Sequence, residues 1–238
     1  MKNSFYLFPL LFLACQSSEK GDTETVSENL TEQSDALDES ETADTIIPMD
    51  FGLRSIDAVD LPDLDYVGNC FDSWTWDDKN GENYFIRTLE EPVMQYPIED
   101  GWEQYDQYLH VYHYTVSTDG TSHLLRDLTD FVKGCEFDLI LYHLDEIVLS
   151  DLDKDNYGEF TFGYRLHCTS DVSPSEQKVL LFENGDKYIL RGTSEAIGYG
   201  GDYKVGDEFD TAPDGFLEKA ESFWEENKVE YELEDNEF

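Results

Sequence analysis

From about residue 70 the chain falls into short runs of alternating apolar and polar residues, each closed by a turn signal. A period of two places successive side chains on opposite faces, so such runs can only be strands. Glu159-Phe-Thr-Phe-Gly-Tyr-Arg-Leu166 sets Phe160, Phe162, Tyr164 and Leu166 on one face. Gln107-Tyr-Leu-His-Val-Tyr-His-Tyr-Thr-Val116 reads as a strong strand, turned by Thr118-Asp-Gly120 into residues 121–125. Trp74-Thr-Trp76 alternates, Asp77-Asp-Lys-Asn-Gly81 turns, and Asn83-Tyr-Phe-Ile-Arg-Thr88 returns. Residues 137–148 are largely extended, while 178–182 and 187–191 flank Asn184-Gly185, a strong hairpin signal. Connections this short pair strands antiparallel. One helix is expected, from the apolar stripe Phe216, Leu217, Ala220, Phe223 and Trp224, with Asp210 or Thr211 as cap and Pro213 in the first turn. The expected fold is α+β, mainly β: an antiparallel sheet of short strands and hairpins, its open face closed by the C-terminal helix.

Charge narrows the function. With 15 Lys and Arg against 55 Asp and Glu, the formal charge is −40. Such a chain repels nucleic acid and anionic membrane surfaces, which excludes a nucleic-acid role. Bound cations would relieve its self-repulsion. Aromatic residues make up 14% of the chain, enough to build a core, so wholesale disorder is excluded as well.

The N-terminus reads as a lipoprotein signal over residues 1–14. Lys2 precedes the apolar run Phe5-Tyr-Leu-Phe-Pro-Leu-Leu-Phe-Leu-Ala14, and Cys15 follows. The run is far short of the ~20 apolar residues of a spanning helix. Cleavage before Cys15 would leave a cysteine for lipid attachment and a protein tethered to a membrane. Gln16 favours the outer membrane, and Phe12 stands where leucine is commoner. Residues 15–46 are almost all Ser, Thr, Glu, Asp, Gln, Asn and Gly, too polar to offset chain entropy, and are expected to form a disordered acidic tether. Residues 47–238 would then be a single β-rich domain.

The strongest chemical motif is Asp151-Leu-Asp153-Lys-Asp155-Asn-Tyr157-Gly-Glu159. Carboxylates fall at loop positions one, three, five and nine, and Tyr157 can offer its backbone carbonyl at seven. Calcium takes six to eight oxygens, and this spacing wraps a short loop around one ion. Asn156 occupies the sharp-turn position where glycine is usual, and asparagine tolerates a left-handed backbone. Position twelve is Phe162, not the glutamate of an EF-hand, and strand-like residues flank the loop. The loop therefore resembles the calcium loops between β-strands of integrin-type (FG-GAP-like) repeats. An acidic hairpin turn that never holds a metal is the plain alternative.

Other candidates are weaker. Trp74 and Trp76 share a strand face and would form a stacking platform for sugar rings, although aromatic pairs at this spacing more often serve a core. His110 and His113 fall on opposite faces of a strand and cannot chelate one ion together. No Gly-x-Ser-x-Gly elbow or Walker loop occurs, and no carboxylate pair stands out among the 55 acids as a glycosidase pair. Beyond Cys15 the cysteines are Cys70, Cys135 and Cys168. In an oxidising compartment one disulfide is expected. Cys135 with Cys168 is the preferred pair, because the sequence between them reads as one β segment folding back; pairings through Cys70 are the alternatives.

The acidic loop is followed in order by Cys168-Thr-Ser-Asp-Val-Ser-Pro-Ser-Glu-Gln-Lys178, Tyr188-Ile-Leu-Arg-Gly192 and Gly200-Gly-Asp-Tyr-Lys204. Upstream lies Trp76-Asp-Asp-Lys-Asn-Gly-Glu-Asn83, and Phe223-Trp224 stands near the end. Together these segments resemble a Bacteroidota family of exported proteins labelled surface polysaccharide biosynthesis protein, over most of residues 70–228. The resemblance implies a part in making or displaying surface polysaccharide and brings no catalytic residues with it. The resulting expectation is a membrane-anchored envelope lipoprotein, non-enzymatic, with a calcium-supported β domain that binds or helps assemble surface polysaccharide. The alternatives are an envelope enzyme acting on glycan, and an adhesion or structural module with an envelope protein as partner.

Overall fold

Two antiparallel sheets face each other across an aromatic core in this computed structural model, which describes residues 51–95 and 101–231. Cys15, the apolar run before it and the acidic stretch to residue 46 lie outside the described residues. The first sheet comprises β1 (Arg54–Ser55), β2 (Asn69–Asp78), β3 (Gly81–Leu89), β4 (Val93–Gln95), β5 (Gln104–Val116) and β6 (Ser122–Cys135). Its order is β1-β2-β3-β5-β4, with β6 also paired to β5. The chain continues through β7 (Asp138–Ser150), β8 (Glu159–Thr169), β9 (Glu176–Glu183) and β10 (Asp186–Thr193). Then come the short β11 (Glu195–Ala196), β12 (Tyr199–Gly200) and β13 (Tyr203–Val205), the helix α1 (Phe216–Asn227) and β14 (Val229–Tyr231). The second sheet runs β13-β10-β9-β8-β7. A small third sheet, β12-β11-β14, contains a parallel pairing of β11 with β14 that hairpin logic does not foresee.

The mainly β expectation is met, and its physical basis is the burial of both faces of each large sheet. Between the sheets, Trp76, Phe85, Leu109 and Val111 meet Phe160, Phe162, Leu180 and Phe182. Phe85 stacks on Phe160 with centroids 4.0 Å apart. On the far side of the second sheet, Phe216, Ala220, Phe223 and Trp224 of α1 cover Val179, Leu181, Tyr188 and Leu190. Gly163 lets this helix approach: a Cβ there would meet Leu144 Cδ1 at 2.7 Å and Phe223 Cε1 at 3.4 Å. On the far side of the first sheet, Leu64 covers Tyr84, Ile86, Tyr112 and Tyr114, with Ile56, Leu61 and Tyr66 packed around them. Area burial of this kind stabilises by roughly 25 cal/mol per Å² of apolar surface.

The buried guanidinium of Arg87 is fully partnered. The Arg87 side chain is completely buried, with Nε donating to Asp72 Oδ1 at 2.8 Å, Nη2 paired to Asp72, and Nη1 donating to the Leu144 carbonyl at 2.6 Å. It thereby ties β3 to β7 across the sandwich. His110 and His113 point to opposite faces as expected. His113 lies against Trp76 in the core with Nε2 3.0 Å from Asn83 Oδ1, whereas His110 stacks on Tyr112.

Several local expectations are refined. The Asn184-Gly185 hairpin forms with both residues at positive φ, 42° and 89°. β6 runs ten residues beyond the expected end at 125; its more buried positions include Arg126 and Asp130, which break the apolar alternation there. The helix starts after Gly215 at φ 91°, so Pro213 precedes it. Asp210 and Thr211 belong instead to a separate 3-10 turn, Asp207–Thr211, which Phe209 anchors on Tyr188.

Cys135 and Cys168 are joined by a disulfide, and Cys70 is a half-buried free thiol. The bond closes the β7–β8 hairpin at its base, where Leu139 pairs with Cys168. A bridge across a sequence separation of 33 restricts the unfolded chain by about 3–4 kcal/mol in the loop-entropy account. Replacing both cysteines by serine should lower the unfolding free energy in urea by about 2–4 kcal/mol. A non-reducing peptide map should show the 135–168 link, with Cys70 in neither linked peptide.

Candidate metal centre

The acidic loop joins β7 to β8 and occupies residues 151–158, with Glu159 opening β8. Its path is held by its own carboxylates. Asp153 Oδ1 accepts the Asp155 amide at 3.1 Å, Asp155 Oδ1 accepts the Tyr157 amide at 2.8 Å, and Asp151 Oδ1 accepts the Asn156 amide at 3.4 Å. Both oxygens of Glu159 accept the Leu152 amide, at 2.9 and 3.0 Å. Asn156 adopts φ 71°, the left-handed conformation expected of it, and Lys154 does the same at φ 63°.

The β2–β3 turn clasps this loop from the other sheet. Trp76 Nε1 and the Gly158 amide both donate to Asp78 Oδ2, at 3.1 and 3.0 Å. The Lys79 amide donates to the Asn156 carbonyl at 2.9 Å, and its ammonium lies 4.2 Å from the centroid of the Tyr157 ring. Gly158 is packed so closely that a Cβ would stand 2.8 Å from both Trp76 Nε1 and Leu149 Cδ1. A third turn reaches the same place: Asn80 Nδ2 donates to Asn184 Oδ1 at 3.0 Å, which brings the β9–β10 hairpin alongside.

Three of the nominated residues lie together. Carboxylate oxygens of Asp151, Asp153 and Glu159 lie within 4.8 Å of one another. A second triad joins Asp153 and Asp155 to Glu183, the last residue of β9, again within 4.8 Å. These groups could hold a metal ion. All the donors are oxygens, which suits a hard cation and not zinc or copper. Tyr157, whose carbonyl the spacing nominates, is fixed beside the triads by its amide and by Lys79. Glu183 escapes the sequence motif because it belongs to a different strand; its only mark is an acid closing the apolar run Val179-Leu-Leu-Phe182.

The cluster is electrostatically strained. Burial pushes the Glu159 carboxyl up to about 7, with Asp151 and Asp153 adding repulsion. Burial pushes Glu183 up to about 8, with Asp153, Asp155 and Glu159 adding theirs. Asp153 is raised too, first by burial and then by Asp155 and Asp151. Each raised carboxyl disfavours its ionised form, a penalty that a cation or a proton would offset.

The sugar platform is corrected. Trp76 is wholly buried and stacks on Phe160 at 5.2 Å, and half-buried Trp74 packs against the same core. Their shared face is the inside of the sandwich, so Trp76 is withheld from any ligand. No family model matches the chain, and no curated protein or solved structure matches it either.

Carboxyls whose pKa is raised on folding support the fold below their unfolded value, near 4.5, and lose that support as pH rises through about 7 and 8. The melting temperature of the chelated protein should therefore fall as pH rises from about 4.5 to about 8 and level off above that. A saturating divalent cation should flatten that fall in a thermal-melt series.

Proposed function

We propose that this chain is a membrane-anchored envelope lipoprotein whose calcium-supported β domain binds surface polysaccharide or assists its assembly. The observation that carries the reading is the convergence of Asp151, Asp153, Asp155, Glu159 and Glu183 where three turns meet, with oxygen donors alone. Calcium fits this set, since it accepts many oxygens in irregular geometry whereas magnesium demands a near-ideal octahedron. An affinity of about 10⁻⁴–10⁻³ M, typical of extracellular modules, would keep such a site filled outside the cytoplasm. Glu159 forms a buried floor and Asp153 an exposed rim. An ion between them keeps coordination positions open to solvent, where sugar hydroxyls or a uronate can replace water.

The same burial weighs against acid–base catalysis at the loop. A carboxyl near pKa 7 beside ionised aspartates resembles the general acid of a glycosidase. Glu159 is completely buried, however, and Glu183 is 8% exposed, so neither can touch a polymer. Carboxyls raised by burial and by one another are groups that a bound cation would neutralise.

Binding of the purified full chain to isolated surface polysaccharide, measured by calorimetry with calcium and then with chelator, tests the reading. Saturable binding lost on chelation is the expected result. At about 100 times its Kd, calcium should stabilise the fold by about 2.7 kcal/mol. Asp153→Ala should abolish both the rise in melting temperature and the binding, while Asp63→Asn, on an exposed loop, should retain both. Absence of binding in either state would turn the reading toward a protein partner in the envelope.

A further inference from the structure

The calcium reading assigns one ion to the loop, yet the acidic oxygens do not form one set. Two ligands of one cation can be no further apart than twice the metal–oxygen distance, about 4.8 Å for calcium. Asp151 and Glu159 meet that limit with Asp153, and Asp155 and Glu183 meet it with Asp153, as two separate triads. Asp153 is the shared member. A carboxylate has two oxygens and can bridge two cations, which in carboxylate-bridged pairs stand about 3.5–4 Å apart.

Glu183 supplies an independent observation. It is 8% exposed, and its Oε1 is buried with no hydrogen-bond partner among the described residues. No ion pair reaches it among the described residues. The oxygens that it does approach belong to Asp153 and Asp155, which repel it. A buried carboxylate is normally paired, hydrogen-bonded or bound to a metal. The surroundings of Glu183 offer the last of these. Charge points the same way: five carboxylates around one divalent ion leave three negative charges uncompensated, and a second ion leaves one.

We infer that Asp153, Asp155 and Glu183 hold a second divalent cation, of the calcium class, beside the one held by Asp151, Asp153 and Glu159. The second ion staples the end of β9 to the β7–β8 loop, at the point where Asn80 already bonds Asn184. The loop is thereby tied to the second hairpin of its own sheet as well as to the β2–β3 turn. This inference rests on the calcium reading of the loop.

Equilibrium dialysis of the purified full chain against calcium separates the two. The expected result is two ions per chain, falling to one in Glu183→Gln and to one in Asp155→Asn, with Asp151→Asn also keeping one. Asp155→Asn keeps the test decisive should the buried Glu183→Gln variant fail to fold. One ion in the wild type, whether or not Glu183→Gln removes it, overturns the second site and leaves the first standing. No saturable binding at all overturns the calcium reading and the second site with it.

Discussion

The indole of Trp76 connects the core of this protein to its candidate site. Its ring is buried between the sheets against Phe160 and His113, while its N–H donates to Asp78. Asp78 in turn receives the Gly158 amide, so a side chain from one sheet fixes the backbone of a loop in the other. Precision in the acidic loop thus comes from the sandwich and not from the loop alone. A five-carboxylate cluster on a free hairpin would spread to reduce its own repulsion. Here the aromatic packing holds it together.

That arrangement explains how a chain with a formal charge of −40 can gather acids at one end of a sandwich. Buried cations elsewhere are used up inside the fold. Arg87 is consumed by Asp72 and the Leu144 carbonyl, and Arg165 by Gln177, Tyr142 and the carbonyls of Asn227 and Val229. Lys178 is held between Asp130 and Glu176. Among the described residues, the acidic cluster receives no comparable side-chain partner. The Lys79 ammonium lies over the Tyr157 ring and bonds the Asp155 carbonyl, at 3.5 Å.

Much of the architecture is legible in the residues themselves. Period-two alternation marks β2, β3, β5 and β8, and Asn184-Gly185 marks its hairpin because few other pairs accept two positive φ angles. The stripe from Phe216 to Trp224 marks the helix and its buried face. Polar segments are harder to read. The second half of β6 is an edge strand whose pairing with β5 is made by backbone groups, which leave no apolar signature. Alternation shows that Trp74 and Trp76 share a face but not whether that face meets water or a second sheet. The second sheet decides it.

The candidate site divides along the same line. The spacing of Asp151, Asp153, Asp155 and Glu159 determines a loop whose carboxylates turn inward, because side chains two apart in a tight turn can cap its amides and face a common centre. Local sequence also determines the left-handed turn at Asn156 and the antiparallel strands on either side. Tertiary structure alone decides that Glu183 joins them, that Glu159 becomes a buried floor, and that Lys79 and Asp78 clasp the loop from the opposite sheet. The reason is physical. Loop geometry is set by hydrogen bonds between near neighbours in the chain, whereas burial and charge crowding depend on which distant strands the aromatic core draws together.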